Sequence, residues 1–167
     1  MELKKQMQIS MLLTLAVVIS IIESFFPVFN NLIPGFKLGL ANAVVLFALF
    51  VFSFKDAVYI SFLKVLLVGI LRTGLFSVTF FFSLSGAVLS ILMMGFFKTS
   101  DKFSIIGISI VGAVFHGVGQ ILFATFYMES YKILNIIPLI ILISIPSGIV
   151  VGILSKKIVL HYREDFA

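Results

Sequence analysis

The chain has 167 residues, of which 61% are hydrophobic and 11% charged, and its mean hydropathy is +1.26. That leaves too little polar surface to cover a soluble globule of this size, so the composition implies an all-α integral membrane protein. The formal net charge of +5 comes from Lys and Arg scattered at the ends of apolar runs, not gathered into a basic stripe, which excludes a nucleic-acid binder; the lack of cysteine excludes disulfides and cysteine-based metal or redox sites, and no cofactor is implied.

A membrane-crossing helix needs about 20 mostly apolar residues. Read in chain order, the sequence offers six such segments at 9–26, 38–52, 57–71, 75–97, 103–127 and 133–155. The first begins with Lys4 and Lys5, as a signal peptide would, but no small-residue cleavage pattern precedes Pro27, and it reads as a retained helix. The second and third are short and separated by the polar break Ser53-Phe54-Lys55-Asp56; two crossings are expected there, with a re-entrant pair as the alternative. With six spans, Lys4, Lys5, Lys55, Lys98, Lys102, Lys156, Lys157 and Arg163 fall on one side, and Lys37, Arg72 and Lys132 on the other. This bias predicts a single six-helix domain over 1–167 in the cell membrane, with both termini cytoplasmic.

Between the first two spans lies the longest irregular passage, 27–42. Pro34-Gly35 marks a turn, Lys37 is presented beyond it, and Asn42 stands just inside the next apolar run. Polar groups at that depth are tolerated where they line a cavity or are buried in protein, so this passage is expected to cap a small-molecule site.

Ionisable residues inside apolar spans are costly and mark candidate sites. Glu23 lies in the outer part of the first span and Lys64 in the third; Arg72 follows eight residues later, about 12 Å along and about 80° around an ideal helix. They pair internally, holding the first and third spans in register, or line a site for an anionic or amide-bearing solute. On the fifth span His116 and Gln120 share a face with Gly112 and Ala124, either as satisfied core residues or as a ligand-contacting pair. Small residues at a spacing of four form two columns, Ala16, Ser20 and Ser24 in the first span and Ser144, Gly148 and Gly152 in the last. Such columns let helix backbones approach, within the chain or against another subunit, and the first is the preferred docking candidate.

Catalytic signals are sparse. Asp56, Asp101 and Asp165 lie outside the spans and too far apart in sequence to form a paired magnesium site, and no Gly-Lys-Ser/Thr phosphate loop occurs.

The run Pro34-Gly35-Phe36-Lys37-Leu38-Gly39-Leu40-Ala41-Asn42, with 61–67, 83–90 and Gly112-Ala113-Val114-Phe115-His116-Gly117-Val118-Gly119-Gln120, resembles the Gx transporter family, also labelled heptaprenyl diphosphate synthase component I. That family is similar in turn to the substrate-binding S-components of energy-coupling factor transporters. The resemblance implies a six-helix S-component-like bundle, a loop over the solute, and a small-residue face on the first helix meeting a transmembrane coupling subunit attached to two ATPases. Lys64 departs from the arginine more usual at its place, so a bidentate anion contact is not expected there. On this reading the chain binds a vitamin-like, quinone-precursor or prenyl-precursor solute, and is not itself an enzyme. The alternatives are a membrane component of a prenyl diphosphate synthase and a membrane scaffold.

Overall fold

The computed structural model describes residues 2–25, 39–100 and 102–166, so Lys37 and the turn at Pro34-Gly35 lie outside the described residues. Six α-helices appear among them: α1 (Glu2–Glu23), α2 (Asn42–Val51), α3 (Phe54–Val68), α4 (Val78–Lys98), α5 (Ile105–Tyr127) and α6 (Ile137–Phe166). A π-helical turn, Gly69–Thr73, continues α3, and a 3-10 turn, Tyr131–Ile136, leads into α6. Four segments are long and apolar enough to cross a membrane: Leu3–Glu23, Val78–Lys98, Ile105–Tyr127 and Tyr131–Tyr162. The remaining two helices are shorter. At 1.5 Å per residue, α2 spans about 15 Å, half of a ~30 Å hydrocarbon core.

Serines set the starts of three helices. Ser53, Ser77 and Ser104 each have extended backbone, and each hydroxyl accepts the N–H three residues on, at 3.2, 3.1 and 3.1 Å. Each satisfies one of the donors that a helix N-terminus leaves open. These caps put the sharp bends where the polar breaks fall in the sequence. Helices do not stop where apolarity does: α1 begins seven residues before the expected Ile9, and α6 runs past Ser155 to Phe166, because polar residues with good helix propensity simply extend the hydrogen-bonded rod.

α2 is short because it is central. Val44 to Leu49 are all buried, and all of them but Phe47 form the main core with Ala16, Ala57, Ile60, Ile91, Met94 and Ile108. A helix that is apolar on every side belongs inside. α1 and α3 pack on one side of it, α6 on another, while α4, α5 and α6 pack in sequence.

Glycines draw α4, α5 and α6 together. A Cβ on Gly119 would stand 2.6 Å from the Ser85 carbonyl oxygen, and one on Gly148 or Gly152 would stand 2.7 or 2.8 Å from the Cα of Ile110 or Ile106. The Ser144, Gly148, Gly152 column is therefore internal packing against α5. The same holds for the first column: Ala16 is fully buried and Ser20 nearly so. What α1 turns outward is a different stripe, Met7, Met11, Leu15, Val18 and Ile22.

Both ends of the bundle are tied. At the end carrying the termini, Lys5 pairs with Asp56 at 2.8 Å, Gln8 Nε2 donates to Tyr162 at 3.2 Å, and Lys98 donates to the Leu49 carbonyl. Burial pushes the Asp56 carboxyl up, but Lys5 and Ser53 outweigh it and hold the group below its ordinary value. The opposite end is fastened by Glu23 and Arg72.

Candidate functional site

The site begins where α1 ends. Glu23 is buried, and its carboxylate accepts the Leu40 N–H at 2.5 Å and the Ala41 N–H at 3.3 Å. A carboxylate ahead of the first turn of α2 satisfies open donors and sits at the positive end of the helix dipole. Gly39, at φ +82°, supplies the left-handed backbone conformation that lets the chain turn into this contact, and its lack of a Cβ leaves room for the Asn42 side chain.

Lys64, buried on α3, reaches the same entrance from the other side. Its Nζ donates to Asn42 Oδ1 at 2.9 Å. Glu23 and Lys64 thus converge on consecutive residues at the start of α2, one on its backbone and one on its first side chain. Charged hydrogen bonds of this kind are worth about 1.5–3 kcal/mol each.

Arg72 is separate. It is exposed, donates from its guanidinium to the carbonyls of Ser24 at 3.0 Å and Ile21 at 3.4 Å, and lies 4.0 Å over the Phe25 ring. It caps the C-terminus of α1, where a cation is favoured, and so fixes the register of α1 against α3. The eight-residue spacing that suggested a shared face with Lys64 crosses the π turn at Gly69–Thr73, where ideal α-helical periodicity no longer applies. Gly69 allows that turn to press on α4, since a Cβ there would fall 2.7 Å from the Phe80 ring.

Around these contacts is a cavity of about 30 Å³. Its walls bring together Glu23 and Ser20 of α1, Asn42 of α2, Lys64 of α3, Thr73 of the π turn, Ser83 of α4 and His116 of α5. Of the residues expected from sequence, Glu23, Asn42, Lys64 and His116 meet here. Arg72 and Gln120 are not in the walls, while Ser20, named as a docking residue, is. Ser24 hydrogen-bonds the Ile21 carbonyl at 2.6 Å and turns back on its own helix. Ser83 and Thr73 escaped the sequence reading because isolated hydroxyls in apolar helices carry no spacing signal.

Gln120 is buried between α5 and α4, where a Cβ on Gly86 would lie 3.0 Å from its Cγ, and its Oε1 has no hydrogen-bond partner among the described residues. A buried acceptor without a partner costs about 1–3 kcal/mol. Gln120→Leu is therefore expected to leave thermal stability unchanged or to raise it, read as the melting temperature of the purified protein in detergent. A drop of more than a few degrees would show that the amide makes a needed contact.

A bundle of apolar helices folded around a small polar cavity, with a buried carboxylate and a buried ammonium meeting at one helix entrance, defines a helical membrane protein with an internal polar site. A family model described as heptaprenyl diphosphate synthase component I matches residues 12–158, and the chain belongs to that family. No curated protein and no solved structure matches the chain.

Proposed function

We propose that this protein is the solute-binding membrane subunit of an energy-coupling factor type importer. The observation that carries this reading is the convergence of Lys64, Asn42, His116 and three hydroxyl side chains on one cavity in a chain that is otherwise nearly all apolar. Burying such groups costs several kcal/mol unless they are used, and in a membrane they mark solute pathways and binding sites. Lys64 and His116 offer donors, so the solute carries acceptors: a carboxylate, carbonyl or phosphate-like group. At about 30 Å³ the cavity admits a water, and the bound form requires α1 and the entrance of α2 to part.

The synthase named in the family description makes a second reading, an accessory component of prenyl diphosphate synthesis. Diphosphate chemistry needs carboxylates gathered around magnesium, and among the described residues no three His, Cys, Asp or Glu form a group that could hold a metal. We therefore favour binding over catalysis.

In this reading the chain crosses the cell membrane six times, the 10-residue α2 completing its crossing with the non-helical residues that flank it, both termini are cytoplasmic, and the cavity opens outward. A transmembrane coupling subunit with two ATPases would meet the exposed stripe of α1, Met11, Leu15, Val18 and Ile22, rather than the buried Ala16 and Ser20. With no native cysteine, topology is read without background. A cysteine replacing Ser130 is expected to react with an impermeant maleimide on intact cells, and one replacing Ser100 only after permeabilisation. Labelling of both from outside would overturn the six-span arrangement.

A further inference from the structure

Asn42 has a second hollow behind it. Gly39 and Asn42 line the polar cavity and also border a smaller space of about 10 Å³, walled by Leu46 of α2, Met94 of α4, Ser109 and Ala113 of α5 and Val151 of α6. On α5, Ser109, Ala113 and His116 share one face at helical spacing. The stripe that reaches the polar cavity at His116 thus reaches the second hollow at Ser109, about 10 Å along the helix.

Ser109 is 4% exposed, and its hydroxyl has no hydrogen-bond partner among the described residues. A hydroxyl inside a helix can turn to the carbonyl one turn back, as those of Thr14 and Thr125 do at 3.0 and 2.9 Å. Ser109 does not. The backbone of α6 crowds its flank, where a Cβ on Gly152 would stand 3.0 Å from the Ser109 Cβ. The hydroxyl is left to the hollow.

Asn42 offers the matching group. A lysine ammonium carries only donors, so the end of the amide that meets Lys64 Nζ at 2.9 Å is Oδ1, and Nδ2 lies across the amide from it. Nδ2 stands 3.2 Å from where a Cβ on Gly39, the other residue shared by both spaces, would be. About 10 Å³ is the room that one water takes, and a void of that size holds a water where two or more polar groups border it. Gln120 provides the contrast: its buried Oε1 is also unpartnered among the described residues, but it borders neither space.

We propose that a buried water in this hollow accepts from Asn42 Nδ2 and bonds to Ser109 Oγ, which makes Ser109 a positioning residue of the solute site. Lys64 holds one end of the amide and the water holds the other. The Asn42 side chain is thereby kept as the partition between the two spaces, and the Lys64 ammonium stays fixed at the cavity wall. The bridge stands on its own geometry; its service to a solute rests on the binding function proposed above.

The test uses the full chain in detergent, with water as the probe. In isotope-labelled protein, the Asn42 side-chain amide signal is identified as the one lost in Asn42→Leu. It is expected to show magnetisation transfer from water in the wild type and to lose it in Ser109→Ala. No transfer in the wild type would overturn the bridge, and transfer undiminished in Ser109→Ala would place the water in the polar cavity instead.

Thermal unfolding supplies a sign. An isolated buried hydroxyl predicts that Ser109→Ala melts at the same temperature or higher, since alanine also favours the helix. The bridge predicts a melting temperature lower by roughly 2–6 °C, the loss of a buried hydrogen bond in a chain of this size. In Asn42→Leu, where the water has lost its other anchor, Ser109→Ala should cost nothing. If Asn42→Leu does not fold because Lys64 loses this acceptor, both backgrounds carry Lys64→Met. A rise in melting temperature, or an equal fall with and without Asn42→Leu, would overturn the proposal.

Small-molecule mass spectrometry then separates the bridge from the binding function. A compound that co-purifies with the wild type is expected to be depleted from monodisperse Ser109→Ala. Equal retention by both proteins would leave the binding function standing and remove Ser109 from it. A bridge detected in a protein from which no compound is recovered would set the binding function aside and leave the water in place.

Discussion

Gly119→Val is expected to force α4 and α5 apart and to disrupt the whole bundle. The new Cβ would stand 2.6 Å from the Ser85 carbonyl oxygen and 3.0 Å from the Gly86 Cα, both backbone atoms that cannot rotate away. Relief requires the two helices to separate along an interface that also carries Ser90, whose hydroxyl donates to the Gly112 carbonyl at 2.8 Å. Overpacking of a buried interface costs about 1–3 kcal/mol where flexible side chains absorb it, and more where backbone must move. The expected result is loss of most monodisperse protein on detergent extraction at growth temperature. Phe126→Val, at an 81% exposed position on the same helix, should extract like the wild type. Equal yields of Gly119→Val and wild type would mean that the two helices are not held at this distance.

The second large effect concerns Lys64. Replacing it with methionine keeps its length and removes the ammonium, so Asn42 Oδ1 loses its 2.9 Å donor and the cavity loses its buried cation. A charged hydrogen bond to a buried ligand is worth about 1.5–3 kcal/mol, which corresponds to a roughly ten- to 150-fold fall in solute affinity. Stability should fall as well, by about 1–3 kcal/mol, because Asn42 Oδ1 is left without this donor, so affinity is compared on variants that remain monodisperse. Lys64→Arg should retain much of the affinity, since it keeps the charge and adds donors. Methionine and arginine variants that lose affinity equally would point to a steric role for this position.

The sequence made the helices visible because apolar runs and polar breaks obey one-dimensional rules. Ser53, Ser77 and Ser104 cap the helices at those breaks. It was less informative about which face of a helix looks inward. In a membrane both the lipid and the core are apolar, so the amphipathic signal that orients a soluble helix is weak, and Ala16 and Ser20 fitted an outward docking column as well as the inward one the structure shows. Of the polar residues, Glu23, Asn42, Lys64 and His116 stood out as unusual in apolar surroundings, and the fold brings them to one cavity. Arg72 and Gln120 were equally unusual, but their roles depend on geometry that composition does not carry: a π turn that breaks the periodicity of α3, and a glycine on α4 that admits the Gln120 side chain. Thr73 and Ser83 became visible only through the neighbours that surround them.

Binding of a solute in the polar cavity through Lys64 is measured most directly by small-molecule mass spectrometry on wild-type protein and Lys64→Met purified in parallel from the same cells. One acceptor-bearing compound is expected to co-purify with the wild type in near-equal molar amount and to be strongly depleted from the variant. Identical extracts from two equally folded proteins would contradict solute binding at this lysine.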